Sequence, residues 1–258
     1  MNYKAVFLDI DGTLVSFKTH QVPQTAVDAI RRIRRQGVKV FIATGRPLPF
    51  VDNLGELEYD GIMTVNGASI HTGDGTIIRH DPILYGDLRR LIDYYHTNPF
   101  PVAFATDETT FITGSSPEAL HILQLLNIRA PQQLPIETCL NMDVMQMVAF
   151  FTPEQEPQLM ADVFKGCTAQ RWHPYFADVI RSGNNKARGI DTIIHHYGIP
   201  LDQTIAFGDG GNDMQMLRHA GLGIAMGNAR DEVKTAAKYV TTSVDDDGIA
   251  LALDKFIP

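Results

Sequence analysis

Cysteine is nearly absent. Cys139 and Cys167 are the only two in 258 residues, and they sit at no metal-ligand spacing, so both read as reduced thiols in a reducing compartment. Long apolar runs are missing as well. No stretch approaches the ~20 apolar residues of a membrane span. The apolar segment after Met1-Asn2-Tyr3-Lys4 is interrupted by Asp9, too early for a secretory signal. The expectation is a soluble, cytoplasmic protein with no membrane partner. Positive charge is in deficit: Lys+Arg 22 against Asp+Glu 30 gives −8, which argues against a nucleic-acid partner. An anionic small molecule stays open, because local cations bind an anion whatever the total charge. What is present is ordinary for a globular chain, 44% hydrophobic and 20% charged, and long enough for one large domain or two smaller ones.

The first strong pattern is Ala5-Val6-Phe7-Leu8 running into Asp9-Ile10-Asp11-Gly12-Thr13-Leu14. A short apolar run that stops at acids reads as a buried strand delivering carboxylates to its C-terminal edge, where open α/β sheets place their ligands. With an extended backbone, Asp9 and Asp11 share a face, roughly 6–7 Å apart. Pro23 then opens a helix with Ala26, Val27, Ile30 and Ile33 at helical spacing and Gly37 as its stop. Val38–Ala43 is a second strand, which implies a right-handed parallel crossover. It ends at Thr44-Gly45-Arg46, and Pro47 is expected to begin a helix carrying Phe50, Val51, Leu54 and Leu57 on one side. Ile62–Val65 is a third strand ending at Asn66-Gly67, followed by a hairpin of Ser69–Thr72 and Thr76–Arg79.

The texture changes near Asp81-Pro82. A helix with Leu88, Leu91, Ile92 and Tyr95, strands at Val102–Thr106 and Thr110–Thr113, a helix from Ser116-Pro117 through Leu126, and a strand at Val144–Phe151 are expected. Thr152-Pro153-Glu154-Gln155 has the form of a capping box, and Thr168–Ile180 reads as two strands turning near Pro174. Residues 82–184 are therefore taken as an inserted α+β domain. The doubly wound pattern returns with a helix at Lys186–Tyr197 and a strand at Thr204–Phe207 running into Gly208-Asp209-Gly210-Gly211-Asn212-Asp213. Two further strand–helix pairs close the chain. Residues 1–81 and 185–258 are expected to form one α/β core with a doubly wound parallel sheet, split by the insert.

Four clusters lie at or beside strand ends: Asp9 with Asp11, Thr44-Gly45, Lys186, and Asp209 with Asn212 and Asp213. They contain a nucleophile, an acid, anion-binding donors and hard oxygen ligands. Phosphoryl transfer needs that set, because catalysis there is largely positioning plus charge neutralisation. These four stretches resemble the four motifs of the haloacid dehalogenase superfamily. The large insert and the Asn66-Gly67-Ala68 loop make the chain similar to its Cof-type sugar-phosphate phosphatases, whose α+β cap the insert matches.

The resemblance implies that Asp9 attacks phosphorus to form an aspartyl-phosphate, and that Asp11 protonates the departing alcohol and then deprotonates water. It implies phosphate contacts from the Ile10 backbone, Thr44, Gly45, Lys186 and Asn212. It also implies Mg²⁺ held by Asp9, Asp209, Asp213 and the Asp11 carbonyl, and a small phosphorylated metabolite as the substrate. Hard carboxylate oxygens suit that ion. Asp213 also fits a helix N-terminal acid or a partner that orients Lys186. Trp172, Tyr175 and Asp178 lie in the last strands of the insert and are candidates for leaving-group contact, with core packing the simpler role for the aromatics. Arg46 reads as a structural ion pair.

Other features take plainer readings. The third glycine of a dinucleotide fingerprint is missing after Gly208-Asp209-Gly210. His195 and His196 are adjacent on a helix and cannot face one ligand together. Met142, Met145 and Met147 read as core filler. Asp245-Asp246-Asp247 reads as a solvated loop and helix cap. Two alternatives to hydrolysis are a phosphosugar mutase, which needs cations for a second phosphate and has only Arg171 and Arg181 to offer, and a non-catalytic phosphometabolite-binding protein. Nothing in the pattern calls for an obligatory protein partner.

Overall fold

The computed structural model describes residues 2–125 and 130–258, without the side chains of Leu125 and Trp172. In chain order, β1 (Ala5–Leu8), α1 (Gln24–Arg35), β2 (Lys39–Ala43), β3 (Gly61–Thr64), β4 (Ser69–Thr72) and β5 (Ile77–His80) come first. Next are α2 (Tyr85–Tyr95), β6 (Val102–Ala105), β7 (Thr110–Ile112), α3 (Pro117–Leu125), β8 (Gln132–Gln133), β9 (Gln146–Ala149), α4 (Glu156–Asp162), β10 (Cys167–His173) and β11 (Phe176–Arg181). The chain finishes with α5 (Lys186–Tyr197), β12 (Thr204–Gly208), α6 (Met214–His219), β13 (Leu222–Ala225), α7 (Asp231–Ala236), β14 (Tyr239–Val240) and α8 (Gly248–Phe256).

These elements divide into two compact units, 1–46 with 50–80 and 184–258, and 47–49 with 81–183. In the first unit an eight-stranded sheet runs β14-β13-β12-β1-β2-β3-β4-β5. The strands from β14 to β3 are parallel, and β4 and β5 are antiparallel. β1 is central, so all four of its side chains are buried. A strand covered on both faces carries no polar alternation, which is why it reads as a continuous apolar run. α1 buries Ala26, Val27, Ala29, Ile30 and Ile33, and its last turn carries Arg32, Arg34 and Arg35 toward the negative end of its dipole. Phe7 stacks on Phe41 at 5.2 Å between centroids. Burying a side chain of that size is worth about 1.5–3 kcal/mol.

The second unit has its own six-stranded sheet, β10-β11-β9-β6-β7-β8, antiparallel except for β7 with β8. Its core gathers Leu88, Leu91, Phe104, Phe111, Met147 and Phe164. Met145 is buried as well, and Met142 packs partly against this core, so the three methionines fill space. The helix expected from Ser116 is present as α3, and its expected end at Leu126 lies outside the described residues. The Thr152–Gln155 box is half formed: the Thr152 N–H donates to Gln155 Oε1 at 2.9 Å, and α4 begins one residue later.

One expected helix is absent. From Pro47 onward only a single 3-10 turn forms, Leu48–Phe50, and residues 51–58 are irregular. Pro47 and Pro49 each remove a backbone donor, and Gly55 sits at φ +57. The apolar spacing was real nevertheless, since Leu54 and Leu57 are buried. The periodicity recorded burial of an irregular segment.

Candidate active site

Four parallel strands bring their C-terminal ends together at β13, β12, β1 and β2. After Leu8 the chain does not stay extended. Thr13, Leu14 and Val15 donate back to the Ile10 carbonyl, Leu14 also bonds Asp9 O, and Gly12 N bonds Val15 O. This tight loop replaces the extended backbone expected after Asp9, and the two carboxylates are held by different cations.

Asp9 Oδ1 accepts from Lys186 Nζ at 2.6 Å, and the same ammonium donates to Asp213 Oδ1 at 2.6 Å. Lys186 is fully buried at the first position of α5. That helix start is fixed by Asn185, whose side chain accepts from Arg188 N at 2.9 Å. Burial opposes the Lys186 charge, but Asp213 and Asp9 outweigh it and hold the ammonium protonated above its usual range. Asp9 goes the other way. Desolvation first, then the neighbouring Asp213, push its carboxyl well above the ordinary range against the pull of Lys186.

Asp213 is fully buried, and both of its oxygens are engaged. Oδ1 meets Lys186, while Oδ2 accepts from the backbone of Asp209 at 3.0 Å and Gly210 at 2.8 Å. Asp209 receives the Thr13 hydroxyl on Oδ1 at 2.9 Å. Its carboxyl is pushed up to about 6, mainly by burial, which the Thr13 bond partly offsets. Carboxylate oxygens of Asp9, Asp209 and Asp213 lie within 4.8 Å of one another. Three ionised carboxylates would exceed the one ammonium by two negative charges, a cost that the raised Asp9 and Asp209 carboxyls reflect, so the donor set fits a hard divalent cation.

Asp11 faces Arg46 in a bidentate pair, with Nε to Oδ2 at 2.8 Å and Nη2 to Oδ1 at 2.6 Å. Arg46 also donates to Phe50 O at 2.9 Å. Arg46 is thus an ion-pair partner, and its partner is the second of the two candidate acids.

Thr44 is buried at the end of β2 and its hydroxyl accepts from Arg46 N at 3.0 Å. Gly45 lies against Asn66 and Asn212: a Cβ there would come within 3.3 Å of both side chains, which themselves bond at 3.0 Å. Val65, Asn66 and Gly67 are all left-handed, with φ of +48, +53 and +88. For a β-branched residue that costs on the order of 1–3 kcal/mol. The turn is held by Val65 N to Arg46 O at 3.1 Å and Asn66 N to Thr44 O at 2.9 Å, which tie the β3 loop to the β2 loop.

Asp9, Lys186, Asp209 and Asp213 therefore converge, Asn212 joins Asn66 beside Gly45, and Ile10 supplies the carbonyl that closes the first loop. Sequence reading overlooked Asn228. It donates to Gly12 O at 2.8 Å and to Asp209 Oδ2 at 3.2 Å. Gly227-Asn228 after β13 repeats the polar-plus-glycine pattern of the Asn66-Gly67 loop after β3, so a signal was there.

In the second unit Tyr175 is exposed and Asp178 half-buried, and the Trp172 side chain lies outside the described residues. Arg171 is tied to Glu156 at 2.7 Å and to the carbonyls of His173, Pro174 and Phe176. Arg181 pairs with Asp81 at 3.7 Å. Neither cation weighed for a second phosphate stands free. Burial pushes the Cys139 and Cys167 thiols up to about 12, so both are inert packing groups. His195 and His196 are exposed on α5.

Residues 6–253 match the model of the haloacid dehalogenase-like hydrolases. The chain belongs to that family. Among curated relatives, the Bacillus subtilis protein named "Putative phosphatase YkrA" is 34% identical over 98% of this chain and 97% of its own length. Among solved structures, the subclass IIB sugar phosphatase BT4131 superposes with a TM-score of 0.86 at 39% identity, covering 98% of both chains. The phosphatase BT1666 from Bacteroides thetaiotaomicron gives 0.91 at 36% identity, over 98% of this chain and 95% of its own. Among the described residues no helix of this hydrolase is long and apolar enough to cross a membrane.

Proposed function

We propose that this phosphatase hydrolyses small phosphate monoesters, sugar phosphates foremost, through an aspartyl-phosphate formed on Asp9. The observation that carries the reading is the buried Asp9–Lys186–Asp213 array with Asp209 beside it, three carboxyl groups around one ammonium. Such a site is built to take up a divalent cation together with a phosphoryl group. The subclass IIB sugar phosphatase among the neighbours supports the substrate class.

In this reading an Asp9 oxygen attacks phosphorus while the ester P–O bond breaks, and the leaving alkoxide takes a proton from Asp11. Water then attacks the acyl phosphate, gives its proton to Asp11 and releases phosphate, so both aspartates are regenerated. Lys186 supplies a fixed positive charge to the phosphoryl oxygens, and the Ile10 and Gly45 backbones, the Thr44 hydroxyl and the Asn212 amide supply donors. Asp9, Asp209 and the Asp11 carbonyl would hold Mg²⁺, with Asp213 fixing Lys186 and the Asp209 loop from behind. When bound, the ion neutralises charge on Asp9 and on the phosphoryl group. Selection among leaving groups is assigned to the second unit, with Tyr175 and Asp178 as candidates.

The test is Mg²⁺-dependent phosphate release from a panel of phosphorylated metabolites. Asp9→Asn is expected to abolish release while the chain still folds. Full activity in that variant would sink the nucleophile assignment, and binding of the panel without any release by wild type would leave a binding protein instead.

A further inference from the structure

We propose that Asn228 is a positioning residue that holds Asp209 in the orientation needed to take up the cation. The inference rests on the reading above only in treating Asp209 as a cation ligand.

Asn228 follows β13, the neighbour of β12, and its side chain makes three bonds. The amide nitrogen donates to Gly12 O at 2.8 Å and Asp209 Oδ2 at 3.2 Å, and the amide oxygen accepts from Val244 N at 3.1 Å. The orientation of the amide is fixed by chemistry: a backbone N–H meets only the oxygen, and a carbonyl meets only the nitrogen. Both amide hydrogens are spent, one on the loop after β1 and one on the loop after β12. Thr13 fixes the other oxygen of the same carboxylate at 2.9 Å. Each Asp209 oxygen thus receives one hydrogen bond, which sets the plane of the group, and carboxylate oxygens of Asp9, Asp209 and Asp213 lie within 4.8 Å of one another.

The space for this arrangement comes from Gly12, at φ +78. A Cβ there would stand 2.2 Å from Asp209 Oδ2. Asp209 is therefore clamped among Gly12, Thr13 and Asn228, and of these only Asn228 reaches in from the third strand end. A carboxylate fixed before the ion arrives loses no side-chain freedom on binding. Asn228 itself is exposed, so its bonds do not serve to satisfy a buried amide.

Calorimetric titration of Mg²⁺ into the metal-free full chain tests this in wild type and Asn228→Ala. The variant is expected to bind about tenfold more weakly or worse, as loss of an outer-shell partner does. Its metal-free Tm is expected to fall by no more than about 5 °C, the cost of losing the Gly12 and Val244 bonds. Turnover of a phosphate monoester should recover at saturating Mg²⁺, so the half-saturating Mg²⁺ concentration rises while kcat is retained. Wild-type Mg²⁺ affinity in Asn228→Ala overturns the proposal. So does a metal-free Tm lowered by more than about 5 °C, because Asn228 would then be an anchor for the Val244 loop. If wild type takes up no Mg²⁺, the cation site fails and both readings fall. If only the variant behaves like wild type, the role of Asn228 alone is lost.

Discussion

Arg46 and Asp11 show how much a single pair can set. The guanidinium occupies both Asp11 oxygens, so it fixes where that carboxylate starts from. Removing it in Arg46→Ala frees Asp11 to take other rotamers, and a misplaced acid costs about 10–100-fold when the leaving group needs a proton. The loss should be large for an alkyl phosphate and much smaller for p-nitrophenyl phosphate, whose leaving group needs no acid. Equal losses on both would show that Arg46 serves the phosphate instead. Asp209 gives a pH prediction. Its folded pKa of about 6 is raised above the unfolded value near 3.8, so the metal-free fold is favoured by the protonated form and loses that contribution as pH rises from about 4 through 6. A bound cation relieves the repulsion that appears there. The rise in Tm on adding Mg²⁺ should therefore be larger at pH 7 than at pH 5, with affinity falling about tenfold per pH unit below 6 for each proton displaced. A pH-independent Mg²⁺ effect would contradict the raised pKa.

The elements were legible where backbone propensity and burial agree. β1 announced itself because a strand covered on both faces needs four apolar residues, and α5 because Gly198, at φ +64, ends a regular apolar stripe. The stretch after Pro47 misled because a buried irregular segment and an amphipathic helix bury residues at similar spacing, and only the missing proline donors separate them. Arg46 was legible as an ion-pair residue, but its pairing with Asp11 could not be read, since the two meet only because β1 and β2 are neighbours in the sheet. Asn228 could have been found from its glycine-flanked place after a strand, but that pattern alone names no partner. At this scale the N-terminus of α5 matters most, because it carries Lys186. Asn185→Ala removes its side-chain cap and is expected to cost about 1 kcal/mol, read as a Tm drop of roughly 2–4 °C. Weakened Mg²⁺ binding without any Tm change would place Asn185 in the site and not in the helix.

The whole molecule consists of two units with separate apolar cores and separate sheets. Units of that kind commonly unfold as distinct cooperative blocks. Scanning calorimetry should resolve two transitions, and Mg²⁺ should raise only one, because Asp9, Asp209 and Asp213 all belong to the first unit. A single transition displaced as a whole would mean that the two cores melt together.

The central place of β1 has a consequence in time. It is flanked by β2 and by β12, with Ala5 opposite Lys39 on one side and Thr204 on the other. A ribosome adding ~5–20 residues per second delivers the second neighbour about 10–40 s after β1 itself. Through that interval a strand that is fully buried in the finished fold has one backbone edge bare, while the whole second unit is being made. Every nascent copy on the same message exposes the same Ala5–Leu8 edge, so the strand that leads into Asp9 is also where newborn chains can pair with each other.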